Sequence, residues 1–286
     1  MEPKALIKKG ILLTIVYAFI MSITALVAKQ LQTQVAVFAV VFWQSVICLI
    51  ILLPQMKGRI KARSFVIWKI HLVRSVGGFA GFLFYYWSLN HIPLVEASLL
   101  RSCAPLCVPL VVLLIHKIGM PRNRWLPMVV GFIGVALIIQ PIPSHINPWH
   151  LIGFLSALGL ALSMVTTRML SRHVTGQETL FVYFFLSCVL SAVLASLMSE
   201  SLFVPMGLWP QMLVVGLTLY VGMFLYNKAY SYAPASVISP ISYIGVVFSG
   251  LWGLLVWQHL PDVYALSGMV LIFISILISA RMVKNA

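Results

Sequence analysis

Two charged residues within one apolar segment are the strongest candidates for chemistry in this sequence. The segment NHIPLVEASLLRSCAPLCVPL, residues 90–110, carries the carboxylate of Glu96 and the guanidinium of Arg101. An arginine does not lose its proton in a protein, and a charge at the centre of a membrane-spanning helix costs at least about 2.5–3.5 kcal/mol. A charge that is kept there indicates a polar partner, water or a bound solute.

Arg101 lies eight residues after Pro93, where the apolar part of the segment begins. Along a helix this is about 12 Å, which is near the middle of a bilayer. Either its guanidinium faces a water-filled cavity, or it donates to backbone carbonyls that nearby prolines leave free. In a cavity it favours an anionic group, ideally a carboxylate held through two parallel hydrogen bonds.

Glu96 is not the natural partner of Arg101, because five residues on a straight helix place two side chains about 140° apart. Two locations stay open for this carboxylate. In a cavity it binds a cationic group or exchanges a proton. Alternatively, since it lies only about 4–5 Å below the end of the segment, it reaches the headgroup zone.

Prolines inside predicted helices are the second group of candidates. Pro105, Pro109 and Pro240 each remove a helix hydrogen bond. Each is either a simple kink or a point where freed carbonyls line a cavity. We predict all three as helix breaks that serve gating.

Polar and aromatic side chains complete the candidate set for binding a solute. Tyr85, Tyr226 and Tyr243 lie deep in their segments, where they stack on a solute or pack in the core. Gln44 is either a helix–helix hydrogen bond or a cavity residue, and Asn227 lies near the end of its segment.

The composition defines the class of protein that must position these residues. Of the 286 residues, 62% are hydrophobic and 8% are charged, and the mean hydropathy is +1.05. A soluble domain needs a more highly charged surface, whereas apolar runs of about 20 residues cross a bilayer. We predict an all-α polytopic membrane protein.

Ten transmembrane helices follow from the apolar runs. Their approximate ranges are 6–28, 34–53, 71–89, 93–115, 124–141, 149–170, 178–198, 208–231, 234–257 and 261–281. All lysines and arginines except Lys29 and Arg101 then fall on the side of the two termini. Because positive charge collects on the inner side, we predict cytoplasmic N- and C-termini.

The net charge of +14 does not indicate nucleic-acid binding, because the basic residues lie in short connections between apolar segments. The four cysteines lie within apolar segments without a histidine at ligand spacing. We therefore predict no metal and no cofactor. The predicted partners are a small-molecule substrate, the lipid bilayer and a coupling proton or ion.

The second half of the chain repeats the first at a shift of 141 residues. The shift matches Gly81 with Gly222, Tyr85 with Tyr226, Pro93 with Pro234 and Ser98 with Ser239. Because each half holds an odd number of predicted helices, the halves insert with opposite orientation, as in many transporters. We predict two inverted five-helix repeats, residues 1–142 and 143–286, joined at the proline-rich PIPSHINP.

The two repeat junctions resemble those of EamA-type transporters of the drug/metabolite transporter superfamily. They are FYYWSLNHIPLVEASLLRSCAPL and FLYNKAYSYAPASVISPISYIGV, and LPDVYALSGMVLIFISILI closes the second half. The resemblance covers nearly the whole chain and implies a central cavity lined by helices one, three, four, six, eight and nine. Gln44, where relatives commonly have arginine, and the unusual Glu96 and Arg101 favour a polar or zwitterionic solute.

The predicted function is secondary active transport of a small polar metabolite, such as an amino acid or another zwitterionic or anionic solute, across the bacterial inner membrane. The alternatives are an exporter of drugs or amphipathic cations, a channel and an intramembrane enzyme. The sequence has no nucleotide-binding G-x-x-x-x-G-K-[ST] motif, which favours coupling to a gradient or exchange. It also lacks the G-x-S-x-G and His-Glu-x-x-His motifs of hydrolases.

Overall fold

The computed structural model of the chain describes residues 3–56, 64–117, 125–139, 147–171, 173–232, 241–258 and 262–284. Within these ranges the chain forms helices joined by turns and short 3₁₀ segments. The α-helices are α1 Pro3–Leu31, α2 Val37–Leu52, α3 Phe65–His91, α4 Leu94–Ser102, α5 Ala104–His116, α6 Trp125–Ile139, α7 Pro148–Leu170, α8 Gly176–Leu197, α9 Trp209–Tyr232, α10 Ile244–Trp257 and α11 Val263–Lys284.

Helix length and apolar surface identify a membrane protein. Across the described ranges, seven helical stretches are apolar and long enough to span a bilayer, and α4 and α5 together form one of them, Leu94–Ile115. Large apolar side chains such as Leu114, Leu197 and Leu255 are exposed on the bundle, as expected where the neighbour is lipid. The predicted all-α, multi-pass class is confirmed.

Helices α3 and α7 pack along each other at the centre of the bundle. Their close approach depends on Gly77 and Gly81 of α3, which face Gly159 of α7. A Cβ atom on Gly159 would lie 2.7 Å from both the carbonyl oxygen of Gly77 and the amide nitrogen of Gly81. Small residues at such a crossing let two helix backbones approach closely within a membrane.

Helices α1 and α9 form the second central pair. A Cβ atom on Gly222 of α9 would lie 2.6 Å from the sulfur of Met21, so this crossing is also close. The Thr24 hydroxyl donates to the hydroxyl of Thr218 at 2.8 Å across the same interface. Outside these central pairs, α2 packs against α8 and α6 against α11.

A break at Cys103 separates α4 from α5. Pro105 lies in the first turn of α5, where its missing N–H costs no helix bond. The amide of Leu106 donates to the Cys103 carbonyl at 2.9 Å. The carbonyl of Ser102 therefore lies outside the regular helix pattern and is available to another donor.

The other two predicted proline breaks have different outcomes. Helix α5 continues past Pro109 to His116, so the break expected at Pro109 is not observed. A proline removes one donor and leaves the carbonyl four residues earlier without its helix bond, and in α5 this loss kinks or weakens the helix without ending it. Pro240 lies outside the described residues.

Candidate functional site: a central cavity

A cavity of about 150 Å³ lies at the centre of the bundle, where the two close helix pairs meet α4 and α10. Its walls come from α1, α3, α4, the start of α5, α7, α9 and α10, and from the residues just before α10. These segments correspond to the predicted helices one, three, four, six, eight and nine that the family resemblance places around a cavity. The lining includes Tyr17, Ser22, Phe82, Tyr85, Arg101, Pro105, Met164, Tyr226, Ser242, Tyr243 and Ser249.

Arg101 reaches this cavity from the last turn of α4. Its Nη1 donates to the carbonyl oxygen of Gly81 at 2.8 Å. The guanidinium carbon lies 4.2 Å from the ring centre of Phe82 and 4.8 Å from that of Tyr85. Within the described ranges no carboxylate forms an ion pair with Arg101.

This environment stabilises the Arg101 guanidinium without neutralising it. Aromatic faces attract a cation, and the negative end of the α4 dipole lies at the last helical turn. The backbone carbonyl that Arg101 contacts belongs to α3 and was not freed by the prolines of its own segment. The cation therefore remains able to bind an anion that enters the cavity.

The three predicted tyrosines also line this cavity. The hydroxyl groups of Tyr85 and Ser98 lie 3.0 Å apart in a hydrogen bond. The ring of Tyr226 packs on that of Tyr17 with 4.9 Å between centroids. The hydroxyl of Tyr243 donates to the Ser102 carbonyl at the break between α4 and α5. The cavity wall is thus aromatic with polar edges.

The predicted site residues Gln44 and Asn227 are among those that lie elsewhere. Gln44 is 1% exposed, and its Oε1 accepts a hydrogen bond from the Tyr86 hydroxyl at 2.8 Å. It therefore joins α2 to α3 and is not among the cavity-lining residues. Asn227 is exposed near the end of α9 and is also outside the lining.

Comparison with known proteins identifies the family. The model of the EamA-like transporter family matches the chain twice, over residues 8–140 and 147–281. The chain belongs to the EamA-like transporter family. The predicted resemblance is therefore confirmed, and this EamA transporter is a multi-pass membrane protein, in agreement with the predicted location in the bacterial inner membrane.

Several relatives of this EamA transporter have named solutes. The pseudopaline exporter CntI of Pseudomonas aeruginosa is 31% identical, with 98% of this chain and 99% of the relative covered. An S-adenosylmethionine uptake transporter of Rickettsia felis is 25% identical over 86% of this chain and 83% of its own length. A crystal structure that is 18% identical has the same fold, with a TM-score of 0.64 over 98% of this chain and 99% of the other.

Glu96 of this EamA transporter has a partner that the sequence analysis missed. Its Oε2 lies 2.8 Å from Nε2 of His150 at the start of α7, and the two side chains are 17% and 13% exposed. Glu96 is not among the cavity-lining residues. No sequence signal joins these two residues, because they lie 54 positions apart on different helices.

Arg74 was also missed as a buried cation. It is 5% exposed, with its guanidinium carbon 4.2 Å from the ring centre of Tyr183. Its Nε donates to the Thr167 hydroxyl at 3.3 Å, and its Nη1 has no hydrogen-bond partner among the described residues. The predicted third span began at residue 71, whereas α3 begins at Phe65. Arg74 consequently lies inside the helix and not at its first turn.

Proposed function

We propose that this protein is a secondary active transporter that moves a small anionic or zwitterionic metabolite by alternating access. In this proposal Arg101 binds the carboxylate of the solute. The observation that supports it is a guanidinium in the central cavity without an ion-pair partner among the described residues. A charge kept at membrane depth is expensive and is therefore usually functional.

The hydrogen bonds of Arg101 favour binding through two parallel contacts. Nη1 is used by the Gly81 carbonyl, and among the described residues Arg101 donates no other hydrogen bond. Nη2 and Nε therefore remain for the two oxygens of a carboxylate, which is the strongest geometry for this pair. The contacts with Phe82 and Tyr85 fix the plane of the guanidinium before the solute arrives.

The rest of the cavity suits the other groups of a zwitterion. The rings of Tyr17 and Tyr226 offer aromatic faces for an ammonium or sulfonium group. The hydroxyls of Ser22, Ser242 and Ser249 line the same space. In this proposal Gln44 acts indirectly, by holding Tyr86 beside the cavity.

We further propose that residues 1–142 and 143–286 form two inverted repeats, with both termini cytoplasmic. The double match of the family model supports two equivalent halves. Shifting the chain by 141 residues also exchanges the two central helix pairs: α1 corresponds to α7, and α3 corresponds to α9. Two inverted halves around one central site are the architecture of many alternating-access transporters.

The relatives support a small organic solute without fixing which one. One is named as an exporter of pseudopaline and another as an uptake transporter for S-adenosylmethionine, which is a methionine derivative. Among the alternatives, a carrier for amphipathic cations has no use for Arg101 in the cavity. An anionic or zwitterionic solute uses it directly.

A ligand-dependent thermal-shift screen of the purified protein tests this function. The probes are the twenty amino acids, S-adenosylmethionine and L-methioninamide, which lacks the carboxylate. We expect at least one carboxylate-bearing probe to raise the melting temperature of the wild type and of the control Arg168→Ala, whose side chain is exposed. Arg101→Ala should not respond to that probe. A screen without a response, or an equal response of Arg101→Ala, would overturn the proposal.

A further inference from the structure

Two histidine contacts join the two halves of the chain at one end of the bundle, which is the outer end in the proposed topology. Here α4 and α7 begin and α3 ends. The first contact is the 2.8 Å hydrogen bond between Glu96 and His150. In the second, the ring of His91 stacks on Trp149 with 3.4 Å between centroids and 6° between planes. Together they close the seam between α7 and the α3–α4 connection.

The Glu96–His150 contact contains one proton that is shared along the hydrogen bond. Without it, two lone pairs would face each other at 2.8 Å. A second proton goes to Nδ1 of His150, which makes no hydrogen bond within the described part of the chain. This proton converts the contact from a hydrogen bond of a neutral imidazole into an ion pair. The Glu96 carboxylate already makes this hydrogen bond charge-assisted, and a positively charged imidazole adds the attraction of two opposite charges, so protonation tightens the seam.

The neighbouring helices supply few other titratable groups. On α1, Lys29 donates to the carbonyls of Leu89 and Ile92 at 2.6 Å each, and its charge acts on Glu96. On α3 the nearby group is His91, and Glu200 lines a surface cleft together with His91. On α4 the other charged group is Arg101, and α10 contains no titratable side chain. Histidine is the group among these that ordinarily changes charge between pH 5 and 8.

Helix α4 connects this seam to the cavity. Glu96 and Arg101 lie five residues apart on it, about 7.5 Å along the axis. The helix has only 9 residues and is bounded by Pro93 and by the break at Cys103. Because both residues lie on this one short helix, a displacement of α4 at Glu96 would also displace the cavity wall that carries Arg101.

We propose that the Glu96–His150 pair is a proton-binding site, that the seam beside it is the outer mouth of the cavity, and that a proton bound from outside closes this mouth. This inference rests on the proposed function, because the mouth matters only if the cavity is the path of the solute. A proton that closes the mouth after the solute has left would return the carrier to its inward-facing state. The pair would then couple transport to the proton gradient.

The experiment measures access to the cavity from outside without any solute. In a chain that carries Cys188→Ala, Ser249→Cys places a thiol in the cavity wall, while the remaining cysteines Cys48, Cys103 and Cys107 are buried. A charged, membrane-impermeant methanethiosulfonate is added outside at pH 6 and at pH 8. Rates are divided by those of the exposed site Ser201→Cys, which corrects for the intrinsic reactivity of the thiol.

We expect labelling of the parent, which carries Cys188→Ala and Ser249→Cys, to be about fivefold slower at pH 6 than at pH 8, since protonation adds the attraction of two opposite charges across the closing contact. Glu96→Gln and His150→Gln should be labelled at the same rate at both pH values. His150→Lys keeps a positive charge throughout and should be labelled slowly at both. The exposed controls His173→Gln and Glu200→Gln should keep the fivefold difference in labelling rate between pH 6 and pH 8, called the pH step below.

Equal labelling of the parent at both pH values would overturn the proposal, and so would a step that persists in both Glu96→Gln and His150→Gln. The labelling experiment and the thermal-shift screen can fail independently of each other. Arg101→Ala should lose the response to solute and keep the pH step in labelling. If no solute binds but the labelling rate still depends on pH, the proposed function is wrong, while the proposal that Glu96 and His150 bind a proton is supported.

Discussion

Tyr243 and Ser102 meet at the centre of the molecule, where the phenol hydroxyl of Tyr243 donates a hydrogen bond to the backbone carbonyl of Ser102. The two residues lie 141 positions apart, which is the shift that aligns the two halves of the sequence. Residues that are equivalent in a two-fold repeat touch each other only near the symmetry axis. The contact thus supports our proposal of two inverted repeats, with the cavity and Arg101 next to the axis.

The first prediction concerns this contact. Tyr243→Phe removes the donor that satisfies the carbonyl at the break between α4 and α5. We expect the free energy of unfolding to fall by about 1 kcal/mol, as is usual for a polar contact inside a membrane protein. Thermal unfolding in detergent measures it, with Tyr264→Phe as the control because Tyr264 is 60% exposed. Equal stability of the two variants would show that the carbonyl does not depend on Tyr243.

The second prediction concerns the crossing of α3 and α7. In Gly159→Ala the new methyl group would lie 2.7 Å from backbone atoms of Gly77 and Gly81, so the helices must separate. We expect a loss of stability of about 1–3 kcal/mol, the usual cost of overpacking. Solute binding should also weaken, because Gly81 holds Arg101.

The control for this crossing is Gly207→Ala, whose added Cβ atom would meet nothing within 4 Å. Thermal unfolding and the thermal shift with solute are measured for both variants. A Gly159→Ala protein that matches Gly207→Ala in both measurements would contradict the account of the crossing.

The third prediction concerns Arg74. Its charge is buried with one hydrogen bond to the described residues. A hydrophobic residue of similar volume often replaces such a charge without loss of stability. We therefore expect Arg74→Leu to unfold at the wild-type temperature or higher. Arg74→Ala should unfold earlier, because it leaves a void beside Tyr183. If both variants lose stability equally, the charge itself stabilises the fold.

The sequence predicted the all-α, multi-pass class and the central place of Arg101 because each depends on local properties. A run of apolar residues and the depth of one charge are visible without knowing the fold. The break before Pro105 was also predictable, since proline constrains only its immediate neighbours.

The partners of the polar residues were not predictable in the same way. Gln44 bonds to Tyr86 and Glu96 to His150 across different helices, and a periodicity within one segment contains no information about such pairs. Arg74 was predicted on the inner side, near the end of its span, because the apolar run begins at residue 71, whereas α3 begins at Phe65. Side chains such as Trp68 and Lys69 extend that helix beyond the purely apolar core.

Counterflow into proteoliposomes tests the central claim, that Arg101 binds the carboxylate of the solute, most directly. The labelled probe is the carboxylate-bearing compound that gives the largest thermal shift, and it is compared in the wild type, Arg101→Lys, Arg101→Ala and the exposed control Arg168→Ala. We predict wild-type counterflow for Arg168→Ala. Counterflow should fall by at least about tenfold in Arg101→Lys, because an ammonium group cannot form the two parallel hydrogen bonds of a guanidinium. Arg101→Ala should show no counterflow. Wild-type counterflow by Arg101→Ala would contradict the account.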